Sequence, residues 1–247
     1  PPAIDPIIQS LNQLFQRLES SLKLRRQFTA DAAHELRTPL TAIKLQLDRL
    51  QRADDYLERK EVEGSLKSAI DRSIALVNSL LLLARHETDV LAAEPEQTNL
   101  TLVTKKVVND FEPLAKNKDQ QISFLNRAKS VLVNAQEKDI AVIIENLLQN
   151  AVLYTQQAGR IQVELQSTRG HVFLSVADNG PGIDSDERLR VFDRFYRCNG
   201  TKQQGSGLGL SIVKNIVHFY QGDIFIEDGI NGEGVRIIAK LPLATNH

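Results

Sequence analysis

The stretch Phe28-Thr-Ala-Asp-Ala-Ala-His-Glu-Leu-Arg-Thr-Pro-Leu-Thr-Ala-Ile43 decides how the chain is read. It sets His34 beside Glu35, with Thr38 and Pro39 just beyond, inside a helical pattern. Phe28, Ala32, Leu36, Ile43, Leu47 and Leu50 hold one apolar face through it, as an amphipathic helix requires. On the N-terminal side, Ile7, Leu11, Leu14, Leu18 and Leu22 carry the stripe back at the spacing of a coiled-coil seam, widened by Ile8 and Phe15. No Gly or Pro interrupts residues 7–38, so one long helix is expected. Pro39 removes a backbone hydrogen bond to the Glu35 carbonyl. It either bends the helix or loosens the turn that carries His34, and both readings stand on physics alone.

C-terminal to this helix, residues 51–60 read as a polar connector and residues 61–87 as a second helix. Its apolar positions are Val62, Leu66, Ala69, Ile70, Ile74, Val77, Leu80, Leu81 and Ala84. Two such helices make a hairpin that cannot bury both stripes by itself. Two copies packed as a four-helix bundle solve that, so residues 1–90 are expected to form a homodimer.

Periodicity breaks over residues 88–98, around Pro95, as a linker does. The pattern then changes to mixed helix and strand. Helices are expected at 102–116, 139–154 and 208–220, and strands near 121–125, 131–133, 160–166, 172–177, 224–227 and 235–241. About five strands and three helices make an α/β sandwich, helices on one face of a mixed sheet.

The chain has 247 residues and a net charge of −1 with no basic block, so nothing asks for nucleic acid. Its one cysteine, Cys198, excludes an intrachain disulfide. The longest wholly apolar runs, such as residues 80–84, fall far short of the roughly 20 residues of a membrane span. The chain opens at Pro1-Pro2 and contains no Met, so it is expected to be a piece of a longer protein.

Three constellations in the second half carry chemistry. Asn146 and Asn150 share one helix face, and their amide oxygens suit a hard cation such as Mg²⁺; two solvated or capping asparagines would look the same. Asp178-Asn-Gly-Pro-Gly-Ile183 ends an apolar strand. Its carboxylate can accept from an exocyclic amine such as that of adenine, though a plain Asp-Asn-Gly turn has the same sequence. Gly205-Ser-Gly-Leu-Gly-Leu210 opens the last helix and offers N–H groups and a positive dipole end to phosphates. It follows no strand, so it is not the dinucleotide fingerprint. Between these two lies a polar stretch, 184–204, with Phe192, Phe195 and Tyr196 as anchors and Arg194 and Arg197 as cations for phosphate, in the manner of a lid. Surface arginines over packed aromatics fit that stretch as well.

The order of these motifs over nearly the whole chain resembles the sensor histidine kinases of two-component systems. They correspond to the H, N, G1, F and G2 boxes of that family, and the opening stretch looks nearest to the QseC/PmrB-type sensors. The resemblance implies four segments. Residues 1–25 would be the end of a HAMP signalling helix, with Ile8-Gln-Ser-Leu-Asn-Gln-Leu14 as the resembling part. Residues 26–90 would be the dimerisation and histidine-phosphotransfer domain, 91–97 a linker, and 98–247 a GHKL/Bergerat-type catalytic ATP-binding domain. ATP and Mg²⁺ are the implied cofactors, with Asn146 and Asn150 at the metal. Tyr154, Asp178, Gly180, Gly182, Ile183, Arg194, Arg197, Gly205, Gly207, Leu208 and Gly209 are implied around the nucleotide. His34 is the implied nucleophile on the γ-phosphorus, with Glu35 taking or holding the proton of the other ring nitrogen. Phosphate would then pass to an aspartate of a response regulator receiver domain, and Thr38 is associated with the reverse, phosphatase step. The chain would be the cytoplasmic fragment of a bacterial inner-membrane sensor.

Three positions depart from the family pattern. Leu153 stands where Lys or Arg is usual, Gln149 where Asp or Asn is common, and Gly234-Val-Arg236 replaces Gly-Thr-x-Phe. Nucleotide is still expected to bind, because the Asp178 and glycine elements are intact. Another GHKL-fold ATPase would lack the helical hairpin ahead of the nucleotide motifs. A degenerate dimeric adaptor would keep the hairpin and carry no label from ATP.

Overall fold

The structure, a computed structural model, describes residues 5–53, 55–88, 96–128, 131–198 and 206–244. The chain divides into two compact units, residues 1–80 and 81–247.

The first unit is the helical hairpin. Helix α1 runs unbroken from Asp5 to Arg52, with Pro39 inside it. Helix α2 spans Tyr56–Thr88, its last turns falling in the second unit. The connector is therefore much shorter than residues 51–60. That stretch is polar but holds Arg, Leu, Glu and Lys and no Gly or Pro, and helix propensity outweighs polarity there. Arg59 Nε donates to the Ala53 carbonyl at 3.0 Å and closes the turn. Val62, Ala69 and Leu76 are buried within the hairpin, a seven-residue repeat of small and branched side chains. Ile70, Ile74 and Val77 of α2 stay exposed, as do Leu11, Leu14, Phe15, Leu18 and Leu22 of α1. The hairpin thus covers one stripe and leaves a second uncovered.

In the second unit the strands are β1 (Gln97–Asn99), β2 (Gln121–Asn126), β3 (Leu132–Asn134), β4 (Arg160–Thr168), β5 (His171–Asp178), β6 (Asp223–Asp228) and β7 (Val235–Pro242). The helices are α3 (Leu100–Lys116), α4 (Glu137–Tyr154) and α5 (Gly209–Phe219). The main sheet has the order β2-β4-β5-β7-β6, with β2 parallel to β4 and the other pairs antiparallel. β1 and β3 make a separate antiparallel pair, so the described residues hold seven strands in two sheets rather than about five in one. β1 has no apolar alternation to announce it. Backbone pairing and the bond from Thr98 Oγ1 to the Ala135 carbonyl (2.6 Å) hold it. Gln97, read as linker, therefore belongs to β1, and residues 91–95 lie outside the described residues.

The registers align Val163, Val176 and Ile237, then Leu165, Leu174 and Ala239, on one sheet face. Those side chains are buried, as are Ile140, Ile143, Ile144, Leu147 and Leu148 of α4 and Ile212, Val213, Ile216 and Val217 of α5. Each of the Val, Leu and Ile side chains contributes about 1.5–3 kcal/mol. Burying this face fixes α4 and α5 on the sheet.

Candidate functional site

In the first unit, His34 stands on α1 with its side chain 75% exposed, its Nδ1 3.8 Å from Glu35 Oε1. The distance exceeds a hydrogen bond but places the carboxylate on the Nδ1 side. Thr38 is exposed on the next turn. Pro39 supplies no N–H to the Glu35 carbonyl, and Thr41 Oγ1 donates to the Arg37 carbonyl at 2.8 Å. The helix passes through Pro39 by keeping its other bonds, so the proline does not end it.

In the second unit, most of the remaining motif residues converge. Asn146 and Asn150 sit on α4, half-buried, with Leu147, Leu148 and Ala151 turned to the core. Asn146 Nδ2 donates to the Val142 carbonyl at 2.8 Å, which fixes the amide and turns its oxygen outward. Gly209, the first residue of α5, abuts both asparagines. A Cβ there would lie 2.9 Å from Asn146 Oδ1 and 3.8 Å from Asn150 Nδ2. The helix N-terminus and the paired amides thus border one space, and a glycine keeps it open.

Asp178 ends β5 and is 4% exposed. Its Oδ1 accepts from the N–H of Gly180 at 2.8 Å and of Val235 at 3.4 Å, while Oδ2 makes no hydrogen bond among the described residues. Burial pushes the carboxyl above its ordinary pKa, and the two backbone N–H bonds hold it down in part. The contact at 235 comes from the backbone, so valine in place of threonine leaves it intact. Gly180 is wedged in: a Cβ would meet Asp178 Oδ1 at 2.9 Å and the Tyr154 carbonyl oxygen at 3.1 Å. Beside it, Thr155 is 5% exposed and its Oγ1 has no hydrogen-bond partner among the described residues. Gly182 (φ +78°) and Ile183 complete the turn.

Sequence reasoning missed the supports of Asp178. At Gly234 (φ +74°) a Cβ would come within 2.2 Å of the Asp178 carbonyl oxygen, and at Gly229 within 2.1 Å. Their spacing around the β6–β7 corner had suggested only a hairpin turn. Gly234→Ala is expected to lower stability by at least about 2 kcal/mol, because it adds a left-handed strain to a backbone clash. A shift of the urea midpoint measures this.

In the stretch 184–198, read as part of a lid with aromatic anchors, Phe192 and Tyr196 are held in place. Val191 and Phe192 are buried in a short 3₁₀ turn. Tyr196 Oη donates to Glu187 Oε1 at 2.9 Å, and the Arg190 guanidinium lies 4.3 Å over the Tyr196 ring. Burial, with a hydrogen bond to Glu187, pushes the Cys198 thiol up to about 11, so it is an inert thiol near neutral pH. Gly207 (φ +67°) packs on the backbone of Phe195 and Tyr196, where a Cβ would meet the Phe195 carbonyl carbon at 2.6 Å. Leu208 is fully buried. Arg197 lies near Tyr154, whose hydroxyl pKa is raised by burial and lowered in part by that cation. Arg194 is half-buried beside these aromatics in sequence. Gly205, and residues 199–205 generally, lie outside the described residues.

These residues fit a purine nucleotide. A buried carboxylate with a spare oxygen matches an exocyclic amine, a buried hydroxyl without a partner among the described residues stands next to it, and a helix N-terminus without a Cβ faces the Asn146 amide oxygen and the Asn150 amide. Among the described residues no group of three or more His, Cys, Asp or Glu could hold a metal ion. The asparagine oxygens suit a cation that draws its other ligands from phosphate and water.

Comparison with known proteins agrees with both units. The His Kinase A (phospho-acceptor) domain matches residues 24–89, and the histidine kinase-, DNA gyrase B- and HSP90-like ATPase matches residues 135–245. The chain belongs to the sensor histidine kinases. It is 33% identical over 240 residues to the swarming motility regulation sensor protein RssA of Serratia marcescens, covering 97% of this chain and 51% of that protein. It is 36% identical over 221 residues to the sensor protein QseC of Escherichia coli K12, covering 89% and 48%. The chain spans about half the length of these curated relatives. Among solved structures it is similar to full-length ShkA in complex with AMPPNP, with a TM-score of 0.66 and 28% identity, covering 90% of this chain and 46% of that one. No helix among the described residues is long and apolar enough to cross a membrane.

Proposed function

We propose that the chain is the catalytic portion of a sensor kinase that transfers the γ-phosphoryl group of ATP to His34 and then to an aspartate of a response regulator. The observation that carries this reading is the meeting of Gly209 with Asn146 and Asn150, across α5 and α4, in the unit that holds Asp178. Phosphate at that helix N-terminus gains N–H donors and the dipole. Asp178 Oδ2 accepts from the adenine amine, and Thr155 Oγ1 lies close enough in the fold to add a second polar point. Mg²⁺, where bound, neutralises phosphate charge, with Asn146 and Asn150 as its protein ligands. Arg194 and Arg197 add cations on the lid side. The similarity to a kinase structure holding AMPPNP supports the same reading.

At His34, the Glu35 carboxylate, 3.8 Å from Nδ1, takes that nitrogen's proton as Nε2 attacks phosphorus. The exposed α1 and α2 stripes are covered by a second copy, giving the homodimer. The longer sensor relatives support a full-length protein anchored in the bacterial inner membrane, this portion on its cytoplasmic side.

Thr38, exposed one turn beyond His34, positions water for removing phosphate from the partner regulator. Thr38→Ala is expected to label from ATP within about twofold of wild type while its regulator phosphatase rate falls about tenfold or more. Separate measurements of labelling and of regulator dephosphorylation check this. The reading as a whole is tested by incubating the chain with γ-labelled ATP and Mg²⁺, then adding candidate receiver domains. Label should appear first on the chain and then on one receiver. ATP turnover with no protein label would make the chain an ATPase, and neither would make it an adaptor.

A further inference from the structure

One cation next to the nucleotide site has no part in the reading above. Arg188 follows the glycine turn, its side chain 28% exposed. Its Nε donates to the Ile183 carbonyl at 3.0 Å, and its Nη2 donates to Asp228 Oδ1. Ile183 closes the turn that begins at Asp178. Asp228 ends β6 and pairs with Val235, whose N–H bonds Asp178 Oδ1. The turn and the β6–β7 corner are already close, since a Cβ on Gly182 would lie 3.2 Å from the Gly234 carbonyl oxygen. Arg188, Asp228, Ile183, Gly182 and Gly234 all border one cavity of about 550 Å³. One planar guanidinium therefore spans two backbone segments that together set the place of the Asp178 carboxylate. Lysine lacks the rigid fork that puts separate N–H groups on the two partners.

We infer that Arg188 is a positioning residue for nucleotide binding: through Ile183 and Asp228 it clamps the Asp178 turn onto the β6–β7 corner. The inference rests on the nucleotide reading of that site. Asp228 is 66% exposed, so the ion pair itself contributes little. The bond to the half-buried Ile183 carbonyl and the geometry of the fork carry the effect. Asp228→Asn keeps an acceptor oxygen and should retain most of the function.

The test is calorimetric binding of a nonhydrolysable ATP analogue with Mg²⁺ to the whole chain, beside melting of the empty protein. Arg188→Gln should weaken binding about fivefold or more, with the melting temperature changed by no more than about 2 °C. Arg188→Lys should fall between Gln and wild type, and Asp228→Asn should stay within about twofold of wild type. If Arg188→Gln binds as wild type does, or loses affinity only along with a large fall in melting temperature, the inference is overturned. If wild type itself binds no analogue, the nucleotide reading falls, and the clamp with it.

Discussion

Replacing Asp178 by asparagine is expected to remove nucleotide binding while leaving the empty domain as stable as before or more so. The two effects have one cause. Asp178 is buried, and burial raises its pKa because the ionised form is held out of water. Protonation therefore favours the folded, empty domain. The stability this group contributes is present below the unfolded carboxyl pKa and is lost as pH rises through the raised folded value. Binding has the opposite sign. The spare oxygen must be an acceptor for the adenine amine, so affinity should fall as pH drops through that same raised value. Asparagine keeps Oδ1 for the Gly180 and Val235 N–H groups but turns an N–H toward the amine. The loss of a charged acceptor and the new donor–donor contact should weaken binding about 100-fold or more. Calorimetry with the nonhydrolysable analogue and thermal melting of the empty chain measure the two halves. A variant that loses its fold, or binds as wild type does, would contradict this placement of Asp178.

His34→Ala should lose all label from ATP, at least about a thousandfold below wild type, since no other histidine shares the His-Glu-x-x-x-Pro setting. The fold should not notice. The His34 side chain is 75% exposed and its nearest charged neighbour stands 3.8 Å away, and exposed substitutions of this kind usually change stability within about 0.5 kcal/mol. Nucleotide affinity should also stay within about twofold, because the candidate nucleotide site belongs to the other unit. Labelling and analogue binding on the same preparation separate the two functions. Residual label in His34→Ala above a few per cent would place a phosphate acceptor elsewhere.

Much of this was legible in the sequence because it is local. The unbroken stripe from residue 7 to 50 gave α1, and glycine ahead of an apolar helix gave the start of α5. The alternation of β4 and β5 set the sheet's buried face. Most of what escaped depends on residues far apart in the chain, the early start of α2 being a local exception. β1 is three polar residues that become a strand only by pairing with β3. α2 starts early because helix formers outweighed polarity over residues 56–60. Gly229 and Gly234 read as corner residues, yet their lack of a side chain is what lets β7 lie against Asp178. Arg188 matched no motif, and its two partners come from the glycine turn and from the end of β6. The departures at Leu153 and Gln149 lie on the half-buried and exposed faces of α4, away from its core side. The one at Val235 leaves a backbone contact in place.

The most direct test of a kinase acting on its own histidine is to label the chain with γ-labelled ATP and Mg²⁺ and map the phosphate by peptide digestion at neutral to alkaline pH. The expected result is a single site at His34, stable in alkali and lost in acid, absent from both His34→Ala and Asp178→Asn. An acid-stable label on serine, threonine or tyrosine, or label on His34 that persists in Asp178→Asn, would contradict it.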